Sequence, residues 1–255
     1  MTEENVIQYQ IDGGVARIKL NRPEKRNALN QALIAALKDS LKKANENSDV
    51  SVIVISGEGR DFCSGADLAS LQQIAEGSLA ENTEDARSLM ELFAVVRRVR
   101  VPVVAAVRGK ALAGGCGLAS ACDIVLASAD AQFGYPEVNI GFVPAMVMAT
   151  LRRNVSEKRA FELTTRGGQI SAEEARQYGF VNQVFAEEDF EAEVCNYVRA
   201  FEKLSKSAIA LTKTLLYQID GMSFQEALET GADVNVIARM TEDCRQGIAK
   251  FLKKD

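Results

Sequence analysis

Residues 106–123, AVRGKALAGGCGLASACD, follow the strand-like run VPVVAAV and place Gly109, Gly114, Gly115 and Gly117 within nine residues. Each glycine in a helical turn is roughly 1 kcal/mol worse than alanine. A chain that keeps four of them at a strand-to-helix junction keeps them because something approaches that backbone closely. The junction requires a strand feeding directly into a packed helix, and the rest of the fold must be built around it.

The flanking pattern supplies such a fold. VIQYQI and VARIKL read as strands joined through Asp12-Gly13-Gly14, a composition suited to a tight hairpin. Leu33, Ile34, Leu37 and Leu41 recur at helical spacing, which predicts an amphipathic helix over 30–46, and VSVIVISG reads as a buried strand. DFCSGADLASLQQIAEG leaves that strand through a glycine into a helix, SLAENTED reads as a solvated loop, and a helix is expected over 85–99. The glycine run, the strand DIVLAS, the segment AQFGYPEVNIGF and a helix over 144–153 come next. Strands alternate with helices, so the fold class is α/β. From Ser156 the texture turns helical, with a brief VNQVF strand and then three amphipathic helices. The expected division is a core over 1–200 and a helical region over 201–255, whose apolar faces in AIALTKTLLYQI and VNVIARM suit contact with another subunit.

Composition narrows the function. The 255 residues are 47% hydrophobic, enough for a substantial core, and 30 basic against 35 acidic residues give a net charge of −5. A broad electrostatic grip on nucleic acid or anionic lipid is therefore not expected. The acidic start MTEENVIQYQ does not resemble a signal peptide, and no apolar run reaches the ~18 residues of a membrane span, so the cytoplasm is the expected compartment. Five cysteines without CxxC spacing argue for reduced thiols rather than a disulfide framework or zinc site. The chain contains no histidine, which removes Ser-His-Asp and Cys-His catalysis and His-ligated metals. Acid–base work falls to carboxylates, Lys, Tyr or Cys, and no metal is expected.

The glycine run has three readings. It can serve tight helix–strand packing alone. It can be a dinucleotide fingerprint, with Glu137 as the acidic residue downstream, but the third glycine would fall at Ser120 and the unit begins after a hundred residues of other structure. Or the Gly114 amide, at the amino end of a helix, faces an oxygen that becomes negative during a reaction. A second donor is then needed, and Ala66 in CSGAD, also between strand and helix, offers it.

With both segments in view, the sequence resembles the crotonase superfamily, the enoyl-CoA hydratase/isomerase family. The likeness runs through NRPEKRNALN, DFCSGADL, PVVAAVRGKALAGGCGLASACDIVLASADAQFGYPEVNIGFVP, AEEARQYGFVNQV and the terminal FLKK. It implies a spiral of ββα turns with a C-terminal helical region that drives assembly as a homotrimer or a dimer of trimers. It implies an acyl-CoA substrate, with no cofactor beyond the CoA that the substrate carries. Ala66 and Gly114 then hold the thioester oxygen. Arg26, Ala28, Asp67 and Leu68, in and after the loop that holds Arg22 and Lys25, match positions near the adenine and phosphates, and Phe251 and Lys254 match residues that reach the nucleotide from a neighbouring subunit.

Family hydratases hold water between two glutamates. The first position is Gly117 here, and the second is Glu137. A lone carboxylate beside Phe133, Tyr135, Val138 and Ile140 should titrate nearer neutrality and suits a proton shuttle, so double-bond isomerisation is the expected reaction. Hydration remains as the alternative if Glu76, Glu91 or Asp67 replaces the missing carboxylate. An idle acyl-CoA-binding protein is the alternative of another class. Ala145, Met146, Val147 and Met148 replace a glycine-rich turn of many hydratases with bulkier, apolar side chains.

Overall fold

The computed structural model describes residues 5–253. Strands β1 (Ile7–Asp12) and β2 (Val15–Leu20) form the expected hairpin, paired from Ile7 with Leu20 to Asp12 with Val15. β2 then pairs in parallel with β3 (Val52–Gly57), which is followed by β4 (Val103–Val107), β6 (Ile124–Ser128) and β9 (Gln183–Phe185), all parallel. A second sheet of three short strands joins β5 (Lys110–Leu112), β7 (Gln132–Gly134) and β8 (Gln169–Ser171).

Alternation along the strands explains the layers. Ile53 and Ile55 of β3, with Val103, Ala105 and Val107 of β4, face a large core beneath helices α1 (Gln31–Glu46), α3 (Leu79–Arg98), α4 (Gly114–Ala121) and α5 (Ala145–Asn154). Val52, Val54, Val104 and Ala106 point the other way, onto Phe190, Val194 and Val198 of α8 (Phe190–Arg199). Between these lie α2 (Leu68–Glu76), α6 (Glu157–Arg166) and α7 (Ala172–Gln177), and the chain finishes in α9 (Lys206–Gln218), α10 (Phe224–Met240) and α11 (Glu242–Leu252).

Two expectations need correction. SLAENTED is helix, not loop: Ser78 and Glu81 form a reciprocal capping box, the Ser78 hydroxyl accepting from the Glu81 amide and the Glu81 carboxylate from the Ser78 amide at 2.8 Å. The segment looks like a loop only because most of its side chains face solvent. After VNQVF come four α-helices rather than three, because α8 covers the sheet before the run α9–α11 begins.

The C-terminal helices are fastened by a buried ion pair. Lys213 of α9 donates to the backbone carbonyls of Val96 and Val101, each at 3.0 Å, and to Asp123 Oδ2 at 2.7 Å. Tyr217, one turn on, donates to Asp123 Oδ1 at 2.6 Å. Outward, α9 and α10 leave Leu216, Phe224, Leu228, Val236, Ile237 and Met240 exposed. Among the described residues no helix is long and apolar enough to cross a membrane.

Candidate active site

Two turns come together beside the end of β3. Cys63 pairs with β5, its amide donating to Lys110 O at 3.0 Å while Leu112 donates to Cys63 O at 2.9 Å. Ala66 makes a parallel bridge with Leu29 through the neighbouring peptides: Leu29 donates to Gly65 O at 2.7 Å, and Asp67 donates to Leu29 O at 3.0 Å. Because those bonds use the carbonyl before Ala66 and the amide after it, the Ala66 N–H itself points away from Leu29. Gly114 opens α4, where first-turn amides have no partner within the helix. Among the described residues neither amide has an acceptor. The two turns touch: a Cβ built on Gly65 would lie 2.8 Å from Ala113 Cβ and 3.7 Å from Gly114 N.

Close approach also accounts for the glycine run. A side chain at Gly115 would meet Cys63 O at 2.3 Å, so the glycine lets α4 lie against the first turn. Ala113, just before, sits at φ 49° and ψ −125°, a region that a non-glycine residue occupies at a cost of ~1–3 kcal/mol. Its amide is held by Gly134 O at 2.9 Å, and the twist starts α4 with Gly114 facing the cavity. Nothing in the sequence marks Ala113, since alanine there reads as an ordinary helix former.

Ala66, Gly114 and Glu137 line one cavity of about 470 Å³. Glu137 rides on the 3-10 helix Pro136–Ile140, whose first turn is preset by Pro136. Its Oε2 is shielded from solvent and has no hydrogen-bond partner among the described residues. Burial pushes its carboxyl above the ordinary glutamate value, against a smaller opposing effect of a backbone hydrogen bond. The remaining walls are mainly apolar, with Leu71 and Ile74 of α2, Leu89 of α3, and Phe142, Val143 and Met146 near α5.

Gly117 lies one turn into α4 and is closed off. A Cβ there would be 2.3 Å from Val147 Cγ1 and 2.9 Å from Phe93 Cζ, so a side chain at this position requires Val147 and Phe93 to move. Val147 thus acts as a plug, which its bulk in the sequence foreshadows. Burial pushes the Cys63 and Cys116 thiols up to about 12, which leaves both un-ionised and unfit as nucleophiles.

The other candidate residues are placed as follows. Asp67 caps α2 through Ala69 N at 2.9 Å and accepts from Arg22 Nη2 at 2.7 Å. Burial opposes its charge, but the Arg22 and Ala69 hydrogen bonds and the attraction of Arg22 and Lys25 hold its carboxyl below the ordinary aspartate value. Arg22 also donates to Ala28 O, so its guanidinium is tied inward rather than offered to a ligand. Ala28 is buried, Arg26 is exposed at φ 50°, and Phe251 is exposed on α11. The Leu68 side chain and Lys254 lie outside the described residues. Sequence reasoning passed over Asn27, whose left-handed backbone and side-chain bonds to Asp61 O and Glu58 O fix this loop.

Of the substitute carboxylates, none lines the cavity: Glu91 pairs with Lys38 at 2.9 Å, Glu76 accepts from Gln72, and Asp67 is engaged as described. Asp85 does line it, on the helical face it shares with Asn82 and Leu89. The Ser78-x-x-Glu81 spacing was the available signal, because it puts Asp85 on a helix.

In sequence and fold the chain is similar to known proteins. Residues 10–255 match the family model described as enoyl-CoA hydratase/isomerase. The 2,3-dehydroadipyl-CoA hydratase of Escherichia coli is 35% identical over 241 residues, 94% of this chain and 92% of that protein. The mouse protein named enoyl-CoA hydratase domain-containing protein 3, mitochondrial, is 34% identical over 253 residues, 99% of this chain and 84% of its own. Among solved structures, an enoyl-CoA hydratase of Mycobacterium smegmatis superposes with a TM-score of 0.94 at 30% identity, covering 98% of this chain and 97% of the other.

Proposed function

The chain belongs to the enoyl-CoA hydratase/isomerase family, and on that premise we propose that it moves the double bond of an enoyl-CoA from the 3 to the 2 position. The Ala66 and Gly114 amides hold the thioester oxygen, and each such donor contributes about 2.7 to 4 kcal/mol to the developing enolate. Glu137 takes a proton from the carbon next to the carbonyl, and the electron pair delocalises onto the held oxygen. The same carboxyl returns that proton two carbons further along, so the double bond ends in conjugation and no atom is gained or lost.

The observation that carries this reading is Gly117 packed against Val147 and Phe93. Hydration requires a second carboxylate to position water, and Gly117, packed against Val147 and Phe93, supplies none. A half-buried carboxylate whose Oε2 is shielded and without a partner among the described residues, in a mainly apolar cavity, is suited to moving a proton back and forth. The test is turnover of a 3-enoyl-CoA. Glu137→Gln is expected to lose about 10²- to 10⁴-fold in kcat while thioester affinity stays within a few-fold. Equal turnover by the variant defeats the mechanism, and no turnover on any enoyl-CoA favours a binding protein.

Hydration is the second reading, supported by the names of the relatives and by Asp85 as another carboxylate on the same cavity. Steady loss of the conjugated absorbance of a 2-enoyl-CoA in water selects it. In either case we assign the CoA contacts to Arg26, Ala28, Asp67 and Leu68, with Phe251 and Lys254 supplied by a neighbouring copy in a trimer. The exposed apolar residues of α9 and α10 support that assembly.

A further inference from the structure

We propose that the acyl group taken by this cavity ends in a hydrogen-bond donor received by Asp85, and that an acyl group ending in a carboxylate is turned away. The proposal rests on the acyl-CoA reading and goes beyond it to the substrate's far end.

Helix α3 serves as a ruler. Phe93 packs at Gly117, and Leu89 Cδ2 lies 3.9 Å from the Cβ position of Gly114, level with the oxyanion amide. Asp85 is four residues nearer the start of α3, or about 6 Å along its axis, and it still lines the cavity. A few methylene groups of an acyl chain span that distance.

The charges there have one sign. Among the described residues that line the cavity, Glu137 and Asp85 are carboxylates and none is lysine or arginine. Asp85 is met only by a neutral donor, Gln31 Nε2 at 2.6 Å on Oδ1, which leaves the acceptor capacity of Oδ2 in use by no described side chain. Two amide donors on the cavity are engaged, Asn82 Nδ2 with Ile74 O at 3.0 Å and Asn139 Nδ2 with Gly167 O at 3.1 Å, and the other polar groups that line it, Asn30, Ser64 and Ser70, are neutral. A terminal carboxylate would lose water and face like charge, with no cation among the described lining residues to compensate it. A terminal hydroxyl or amine would give Asp85 a second charge-assisted bond, at Oδ2.

The test measures binding, so it does not depend on turnover. Calorimetry would compare three saturated six-carbon CoA thioesters ending in methyl, hydroxyl and carboxylate. The hydroxyl form is expected to bind roughly tenfold or more tightly than the carboxylate form, the scale of one hydrogen bond to a charged group. Asp85→Ala should erase the preference, and Asp85→Lys should reverse it toward the carboxylate form, which a merely misfolded variant would not do. If wild-type protein binds all three alike, or prefers the carboxylate, the assignment falls while acyl-CoA binding stands. If it binds none, both readings fall together.

Discussion

Glu137 shows how one residue's surroundings set its chemistry. Its Pro-Glu context was visible in the sequence, but the orphaned Oε2 and the dry wall around it are products of folding. Burial raises its pKa above the ordinary 4.5, which has two consequences. The acid limb of kcat/KM for isomerisation should fall at higher pH than an ordinary glutamate would give, because the base must be ionised, and pH–rate profiles would check this. The group also binds its proton more tightly folded than unfolded, so its favourable contribution is complete below pH 4.5 and is lost as pH rises through the folded value. Glu137→Gln should therefore raise the melting temperature at neutral pH, with the gain vanishing in acid, as thermal melts across pH would show. Ala66 and Gly114 were legible because glycine-rich strand-to-helix turns signal exposed amides. Ala113 was not, because positive φ at an alanine is imposed by its neighbours. Asp85 was not, because the first turns of α3, up to that residue, read as a solvated loop.

Among the elements, the alternating strands, α1 and the strand entering α4 were readable because their apolar periods are clean. The start of α3 and the separate role of α8 were obscured, one by a polar outer face and the other by similarity to the helices after it. In the proposed reading the contact of α4 with α5 and α3 disfavours hydration, and it can be altered. Gly117→Glu alone should lower the melting temperature, since overpacking costs typically 1–3 kcal/mol and each kcal/mol is worth about 2–4 °C at this size. Adding Val147→Gly should restore part of that loss and allow hydration of a 2-enoyl-CoA to appear. A single variant as stable as the parent would show that the corner is open after all.

For the whole molecule, α9–α11 carry large apolar side chains that stay exposed among the described residues. Sedimentation should give a mass near three times that of one chain, and Val236→Asp with Ile237→Asp should reduce it to one while weakening CoA-thioester affinity. An unchanged mass would exclude α10 from the contact. The Lys213–Asp123 pair bears on more than anchoring. A carboxylate just past the carboxyl end of α4 opposes the helix dipole, and α9 supplies the ammonium that compensates it. With eight residues, α4 is a rod of about 12 Å, pinned at its base by α9 and carrying the Gly114 amide at its tip. A shift in how α9 is seated would tilt that tip, so if α9 and α10 pack against neighbouring copies as proposed, loosening those contacts should slow the chemical step even where the ligand is still gripped.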